Sequence, residues 1–361
     1  MSASPSAAVP AMPSASLPPA QRYAFLRSRR DLLLACALGL AAVAALIVFS
    51  GNDPGRAAHA FLAGAFGSFD RISVALNKAT PYILCGTGVA LCFRAGIVNI
   101  GGEGQIALGG LGAATCAMLF PVANPLLAVL SCLLAGVAFG ALWATVAAVL
   151  HLTRRINEVI VTLLMNFVAV LLVQWIVQDY IGETGAGFPQ TALMPPAYWL
   201  PKFTADNDLH LGILLAVAAC VLAHLYLWHT QWGFGLRVLG ASRQAARYAG
   251  LSVFRGTVVV MGVAGSLAGL AGSVEVLGLH YRLIAGFSQG FGFNAVAIAL
   301  LAGRQPLAIL PAGLFLGFLE AGALAMQREV GSPSSLVSMI EGLTMLFALV
   351  IAGRASRQAG S

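Results

Sequence analysis

The chain has 361 residues, of which 59% are hydrophobic and only 9% are charged. Because a soluble domain carries about 25% charged residues, this composition excludes an ordinary soluble enzyme and indicates an integral membrane protein. The formal net charge is +7. The arginines stand at the ends of apolar segments instead of forming a basic stripe, so membrane orientation accounts for them better than nucleic-acid binding.

The N-terminal segment, residues 1–20, is rich in Ala, Ser and Pro and cannot bury a core. We predict that this segment and the basic residues after it form a disordered basic tail over residues 1–30. An apolar run from Leu32 to Phe49 comes next and is long enough to span a ~30 Å hydrocarbon core. A cleaved signal peptide is the alternative, but the length of the run favours an uncleaved first helix.

Nine further apolar runs predict an all-α membrane protein of about ten transmembrane helices. We expect one transmembrane permease domain over residues 31–353 and a cytoplasmic tail over residues 354–361. The further runs lie near 80–93, 104–120, 124–150, 158–178, 209–229, 256–277, 291–303, 306–327 and 337–353.

The positive charges predict the orientation of these runs. If the N-terminus is cytoplasmic and each run crosses once, fourteen of the 20 Lys and Arg residues fall inside. The segments outside hold Arg56, Arg71, Lys78, Lys202, Arg282 and Arg328. This asymmetry follows the positive-inside rule and predicts that both termini are cytoplasmic.

Two runs fit poorly as plain helices. Residues 80–93 are too few to span alone and lead into the glycine-rich stretch 96–104, and residues 286–303 open with Gly286, Gly290 and Gly292. Short, glycine-broken segments in both halves of a transporter indicate a pathway at the bilayer midplane. Two inverted five-helix repeats with broken midplane helices would account for both segments.

The sequence lacks the motifs of nucleotide hydrolysis and of common catalytic sites. Neither lysine belongs to a Gly-x-x-x-x-Gly-Lys stretch, and no His-Glu-x-x-His or Gly-x-Ser-x-Gly motif occurs. We therefore predict no catalytic residue, no metal site and no cofactor in this chain. The six cysteines lie within or beside apolar runs and are interpreted as small buried hydrophobic residues.

Two stretches combine amide side chains with flexible backbone in apolar surroundings. The first, residues 93–105, contains Asn99, Glu103 and Gln105; the second, residues 157–166, ends at Asn166. Amides form hydrogen bonds without the cost of burying a charge, so Asn99, Gln105 and Asn166 are candidates for the substrate pathway, and Glu103 is a costlier candidate because it is charged. The alternatives are a cytoplasmic turn for the first stretch and a helix–helix hydrogen bond for Asn166.

A third stretch, residues 235–250, predicts a short cytoplasmic helix. Ser242 can cap its start and Gly250 can end it, and Arg243 and Arg247 share one face. A rigid basic knob suits docking to another protein; an ordinary solvated loop is the alternative. The candidate contact residues are Gly240, Arg243, Ala245, Ala246, Arg247 and Gly250.

A fourth stretch, residues 286–294, mixes phenylalanines with Ser288, Gln289 and Asn294. Aromatic faces beside amides would suit a flat polar solute such as a nucleobase, although the phenylalanines could equally face lipid. Glu320 lies in the middle of an apolar run and should face the bundle interior, as a gate, a helix–helix hydrogen bond or a protonated carboxyl.

At these residues the chain resembles the inner-membrane permeases of the branched-chain amino acid, ribose and nucleoside ABC importers. It is most similar to the nucleoside type that works with basic-membrane-lipoprotein receptors. The resemblance rests on FRAGIVNIGGEGQ (93–105), NEVIVTLLMN (157–166), LRVLGASRQAARYAGL (236–251) and FGFNAVAIALLAGRQPL (291–307). Arg304 and Gln305 depart from the pattern, since relatives more often carry a small or amide residue there.

The resemblance implies a transport subunit that is not itself an enzyme. Its implied partners are a cytoplasmic ABC ATPase that binds ATP, a second homologous permease and an external solute-binding lipoprotein, with no nucleic acid. It also implies that residues 240–250 form the coupling helix and that 93–105 and 286–294 border the pathway in a bacterial inner membrane. Permeases for a simple sugar or a branched-chain amino acid, and an ion-coupled secondary transporter, remain alternatives.

Overall fold

The computed structural model describes residues 41, 43–49, 51–204, 207–288, 290–331 and 333–359. The predicted tail 1–30 and most of the first apolar run lie outside these residues, and residues 43–49 at the end of that run are helical. The described part of the chain is helical and contains isolated β-bridges in place of a sheet. These observations confirm the all-α fold class.

Twelve helices from residue 54 onward are labelled here in chain order. The first six are α1 (Pro54–Phe66), α2 (Phe69–Arg94), α3 (Gly102–Leu119), α4 (Pro125–Arg154), α5 (Glu158–Asp179) and α6 (Gly212–His229). The next six are α7 (Gln231–Ala241), α8 (Arg243–Tyr248), α9 (Val253–Glu275), α10 (Phe291–Leu301), α11 (Pro306–Val330) and α12 (Ser334–Ala359). A π-helical turn, Val276–His280, prolongs α9, and α12 extends into the predicted tail 354–361.

Local sequence signals explain where the helices begin. The side chains of Asn124 and Asn157 accept hydrogen bonds from backbone N–H groups in the first turns of α4 and α5. Proline occupies the first helical position of α1, α4 and α11, where its missing N–H is not needed. These caps satisfy donors that would otherwise be unpaired at a helix start.

Two helices, α9 and α11, form the centre of the bundle. In α9 and α11, 61% and 56% of the most apolar 18-residue stretch is buried, whereas in α4, α5 and α6 only 28% of that stretch is buried. Gly265 of α9 lies so close to Gly140 and Ala144 of α4 that an added Cβ would overlap them, and Gly317 of α11 is equally close to α2. Gly269 and Gly313 approach neighbouring helices as closely, so these small residues serve helix packing.

Within the described residues, five helices are both long enough and apolar enough to cross a bilayer: α4, α5, α6, α9 with its π turn, and α11. Two shorter apolar helical stretches are Phe291–Leu301 and Val337–Val350. The chain is therefore a multi-pass membrane protein, while the count of ten spans stays a prediction.

The structure corrects the interpretation of residues 80–93 as too short to span. They form the C-terminal half of α2, whose 26 residues extend for about 39 Å. The hydropathy of the sequence does not predict the first half of α2, because the apolar run is interrupted there by Asp70, Arg71, Asn77 and Lys78. Lys78, which the charge pattern places in a segment between two apolar runs, lies within α2 and is largely buried. Helix α1 was not predicted.

The segment between α5 and α6 packs onto the end of α9. Three backbone hydrogen bonds, each 2.9 Å long, join the two segments: Thr191 N–H donates to Leu283 O, Met194 N–H to Tyr281 O, and Leu200 N–H to Leu277 O. This segment, residues 180–211, includes Lys202, which the charge pattern predicts to lie outside. It holds residues 277–285 in place, and these lead directly to the glycines before α10.

Candidate functional site

A break between α2 and α3 forms the first part of the site. Helix α2 ends at Arg94, Gly96 takes a left-handed conformation at φ 68°, and α3 starts at Gly102. Within the break, Asn99 Oδ1 accepts from the backbone N–H of Gly101 at 2.9 Å and from Gln105 Nε2 at 3.3 Å. Both amides are buried, so the predicted polar cluster lies inside the bundle and the alternative of a solvated turn is wrong.

Helix α5 fixes this broken segment through Asn166. Its Oδ1 accepts from the N–H of Gly104 at 2.9 Å, and its Nδ2 donates to the carbonyl of Ile100 at 2.7 Å. Thr162 Oγ1 accepts from the N–H of Ile100 at 3.2 Å. Asn166 therefore links α5 to backbone groups of the break and of the first turn of α3, and it lies about 12 Å along α5 from Glu158.

Glu103 joins the first motif to the fourth. Its Oε1 accepts from Ser288 Oγ at 2.5 Å and from the N–H of Gly290 at 3.0 Å, and its Oε2 accepts from the N–H of Gly292 at 2.9 Å. Gly290 precedes α10, so the carboxylate caps the N-terminus of that short helix while it occupies the first turn of α3. Two positive helix ends thus converge on one buried acid.

The close approach at Glu103 requires glycine on the α10 side. Gly290 has φ 86°, a conformation that side chains other than glycine rarely adopt. A Cβ on Gly292 would overlap the backbone of Gly102 and Glu103. Gln289, which was predicted to contact the solute, lies outside the described residues.

A second polar network lies on the other side of α10, and sequence reasoning assigned only part of it. Asn294 Nδ2 donates to the hydroxyl oxygen of Tyr82 at 3.3 Å, and that hydroxyl donates to Glu320 Oε2 at 2.8 Å. Lys78 Nζ lies 3.0 Å from Glu320 Oε1 and 5.5 Å from the ring centroid of Phe291.

Lys78 and Tyr82 were not predicted as functional residues. The available signal was their spacing, because positions 78 and 82 are four apart and share one face of a helix. Glu320 was correctly placed inside the bundle, where it is 7% exposed. Its contacts with Lys78 and Tyr82 of α2 make it a helix–helix contact, one of the three predicted roles.

The predicted short helix between α7 and α9 is present as α8. Ser242 Oγ accepts from the N–H of Ala245 at 3.2 Å, and Gly250 follows the helix at φ 75°. Ala246 is fully buried, whereas Arg243, Ala245 and Arg247 are exposed. Helix α8 therefore presents a basic face while Ala246 anchors it to the bundle.

The connection between α8 and the broken segment runs through Gly240. A Cβ on Gly240 would overlap the carbonyl oxygen of Arg94, and Gly96 packs against the same glycine. Arg243 Nη2 also lies 3.9 Å from Glu158 Oε1 at the start of α5. Gly240, near the end of α7, thus packs against the end of α2, and Arg243 of α8 lies near the start of α5.

Ionisable side chains in the described part of the chain do not form a group of three or more that could hold a metal ion. Five of the six cysteines are described there, and all five are free and buried, as the sequence predicts. The chemistry of the site is that of buried hydrogen bonds and one ion pair.

Comparison with known proteins identifies the family. Residues 71–349 match the family model described as the permease component of the branched-chain amino acid transport system. The chain is 35% identical over 324 residues to the guanosine ABC transporter permease protein NupP of Bacillus subtilis, covering 87% of this chain and 91% of that protein.

Two other relatives carry different solute names. A glucose ABC transporter permease protein of Haloferax volcanii is 34% identical over 327 residues, with 88% of this chain and 84% of that protein covered. The nucleoside ABC transporter permease protein NupB of Lactococcus lactis is 28% identical over 327 residues, with 88% and 90% covered. This chain therefore belongs to the family of ABC transporter permeases that the branched-chain amino acid transport system permease component defines.

Proposed function

We propose that this chain is the membrane-spanning subunit of an ABC importer for a nucleoside. The carrying observation is its 35% identity, over most of both chains, to a permease named for guanosine. A simple sugar is the second candidate solute, because a relative named for glucose is almost as similar. Both solutes are neutral and rich in hydroxyl groups, which fits a pathway bordered by buried amides.

The partners proposed for this subunit are a cytoplasmic ATPase, a second permease and an external solute-binding lipoprotein. The missing P-loop supports a separate ATPase, since this chain lacks the backbone cradle that binds ATP phosphates. The exposed basic face of α8, with Arg243 and Arg247, supports a docking surface for that ATPase. An inner-membrane location with both termini cytoplasmic places α8 on the ATPase side.

In the proposed mechanism, the bundle alternates between outward-open and inward-open states. ATPase closure would move α8, and Gly240 would transmit this movement to the ends of α2 and α3. The residues proposed to border the pathway are Asn99, Glu103, Gln105, Asn166, Ser288, Gln289 and Asn294. Ten membrane crossings in two inverted repeats would place the breaks before α3 and α10 near the midplane.

An ion-coupled transporter is the alternative mechanism, and Glu320 was its main support. A coupling carboxylate must gain and lose a cation during the cycle. Glu320 contacts both Lys78 and Tyr82, which already neutralise and hydrogen-bond it. This arrangement favours a structural or gating role over ion coupling.

The proposal is tested by uptake into proteoliposomes that contain the chain with its neighbouring permease, ATPase and receptor. We expect concentrative uptake of labelled guanosine that needs ATP and survives an uncoupler. Excess unlabelled nucleoside should compete, and glucose or leucine should not. Uptake abolished by the uncoupler, or inhibited by glucose alone, would refute the proposed mechanism or the proposed solute, respectively.

The docking surface has its own test. Arg243→Glu combined with Arg247→Glu should reduce ATPase co-purification at least tenfold while membrane insertion remains normal, because the basic face is reversed in charge. Arg154→Glu is the matched control, since Arg154 is an exposed arginine at the same end of the bundle. If the wild type, the double variant and the control all co-purify equally with the ATPase, α8 has no docking role.

A further inference from the structure

Three arginines gather at the membrane face that carries α8, and the proposed transport cycle does not use them. Arg94 ends α2, Arg237 lies in α7, and Arg304 lies in the turn between α10 and α11. The guanidinium carbons of Arg94 and Arg237 lie 5.6 Å and 4.5 Å from the ring centroid of Trp228. Arg94 Nε donates to the carbonyl oxygen of Arg304 at 2.7 Å. These residues are called the arginine cluster.

The arginine cluster lacks a counter-charge within the described part of the chain. None of its guanidinium groups lies within 4.0 Å of a described carboxylate oxygen. Arg237 Nε is buried and has no hydrogen-bond partner among the described residues. Because like charges repel and a buried donor without a partner is unfavourable, the arrangement calls for an external anion.

The backbone conformation of Arg304 is unfavourable for arginine, which indicates that its side chain makes a compensating interaction. Its φ is 60°, a left-handed conformation that glycine adopts at lower cost. This position departs from the pattern of the family stretch that the chain otherwise follows. An exposed arginine at a strained position needs a compensating interaction, and the described residues provide none through its guanidinium group.

The surroundings of the arginine cluster determine what kind of anion fits. Trp228 is 36% exposed, and Leu225 and Leu222 lie three and six residues before it, 44% and 65% exposed, on the same side of α6. Phe234 is 60% exposed beside Arg237. The arginines therefore end an apolar track on a helix that is mostly unburied, and tryptophan typically lies at headgroup depth.

We propose that the arginine cluster binds the phosphate of an anionic phospholipid whose acyl chain follows the exposed track of α6. Guanidinium groups form paired hydrogen bonds with phosphate oxygens, and basic pockets between transmembrane helices are suited to anionic headgroups. An acidic surface of the ATPase would satisfy the charges but would leave the apolar track uncovered. Inorganic phosphate shares the anionic group but lacks the acyl chain.

The experiment measures lipid retained by the purified transporter complex, using native mass spectrometry in micelles with equal amounts of phosphatidylglycerol and phosphatidylcholine. We expect preferential retention of phosphatidylglycerol, and about a fivefold loss of it in Arg237→Gln and in Arg304→Gly. Arg155→Gly is the matched control, because Arg155 is an exposed arginine in another left-handed turn, with φ 54°. It should retain as much lipid as the wild type.

Glycine suits the backbone at position 304, so failure of Arg304→Gly to fold is not expected; Arg304→Asn, which also tolerates this conformation, provides a second variant. Equal retention of both lipids by the wild type would overturn the proposal. An equal loss of phosphatidylglycerol in the Arg155→Gly control would also overturn it. So would cluster variants that retain the lipid but lose the ATPase. Displacement of the lipid by millimolar inorganic phosphate would assign the site to free phosphate instead.

Discussion

The Glu103 carboxylate organises the site through its hydrogen bonds to residues at the start of α10. A charged group in the membrane interior is costly unless donors surround it, and Glu103 receives three hydrogen bonds from Ser288, Gly290 and Gly292. Two of these come from backbone groups at the start of α10, which would otherwise be unpaired. Glu103 therefore fixes the position of α10 against α3, and its proposed part in transport acts through that helix.

Replacing Glu103 tests this role. Glu103→Gln keeps the shape but removes the charge and turns one acceptor into a donor, so we expect a loss of about 3 kcal/mol of stability. Ser288→Ala removes one donor only and should cost roughly 1 kcal/mol. Thermal unfolding of the purified protein measures both, with Glu329→Gln on the exposed end of α11 as control. A larger effect of Ser288→Ala than of Glu103→Gln would contradict the capping role.

The ion pair of Lys78 and Glu320 makes a second prediction about single residues. Lys78→Met leaves the Glu320 carboxylate buried without its cation and should cost about 3–5 kcal/mol. The double variant Lys78→Met with Glu320→Gln removes both charges and should recover part of that loss. Lys202→Met breaks an exposed pair with Asp208 and should cost less than ~1 kcal/mol. If the double variant is less stable than Lys78→Met, the two residues are not coupled as an ion pair.

Among the elements, the two breaks before α3 and α10 depend on each other. Residues 95–101 and 281–288 leave helical geometry, and Glu103, just after the first segment, binds Ser288 at the end of the second. Backbone groups freed in these breaks are satisfied by Asn166, Thr162 and Glu103. Non-helical backbone is tolerated at membrane depth only when protein groups satisfy it in this way.

The segment between α5 and α6, which packs onto the end of α9, is expected to loosen in acid. Burial lowers the pKa of His210 from 6.5 to about 4, and the nearby charge of Lys202 contributes. Nδ1 accepts from the N–H of Gly212 at 3.1 Å, so the folded loop holds the imidazole neutral. The free energy by which the neutral His210 stabilises the folded segment is fully present above pH 6.5 and is lost as the pH falls toward 4. At pH 5 the loss is roughly 2 kcal/mol.

Hydrogen exchange of residues 180–211 at pH 7 and pH 5, corrected for intrinsic rates, measures this effect. Protection should fall in the wild type at pH 5. It should stay nearly constant in His210→Asn, which keeps a polar side chain but does not titrate. The exposed His229 on α6 provides the control variant His229→Asn, which should behave as the wild type does. A wild-type loop with unchanged protection at pH 5 would exclude His210 as the cause.

At the scale of the whole molecule, burial divides the helices into a centre and a rim. The central helices α9 and α11 pack on several neighbours through glycine and alanine, while α4, α5 and α6 expose most of their leucines to the surroundings. Lipid is as apolar as leucine, so close packing of small residues carries the association of the central helices.

This division predicts opposite sensitivities to side-chain size. Ala268→Leu in α9, where the alanine is 1% exposed, should overpack the centre by about 1–3 kcal/mol and lower the folded yield. Leu171→Ala in α5, where the leucine is 63% exposed, should leave the yield unchanged. Size-exclusion profiles of the detergent-solubilised variants measure both. Comparable yields of the two variants would mean that α9 is not central.

The sequence by itself determined the membrane class, the helical fold, the apolar runs from α3 onward, and the short helix α8, because each depends on composition or on neighbouring residues. Only the tertiary structure decided that Glu103 meets Gly290, that Lys78 meets Glu320, and that Arg94 and Arg237 meet Trp228. These partners come from different helices, and in the first case they are 187 residues apart. Local periodicity carries no information on which helices become neighbours, so a buried charge can be recognised in the sequence while its partner cannot.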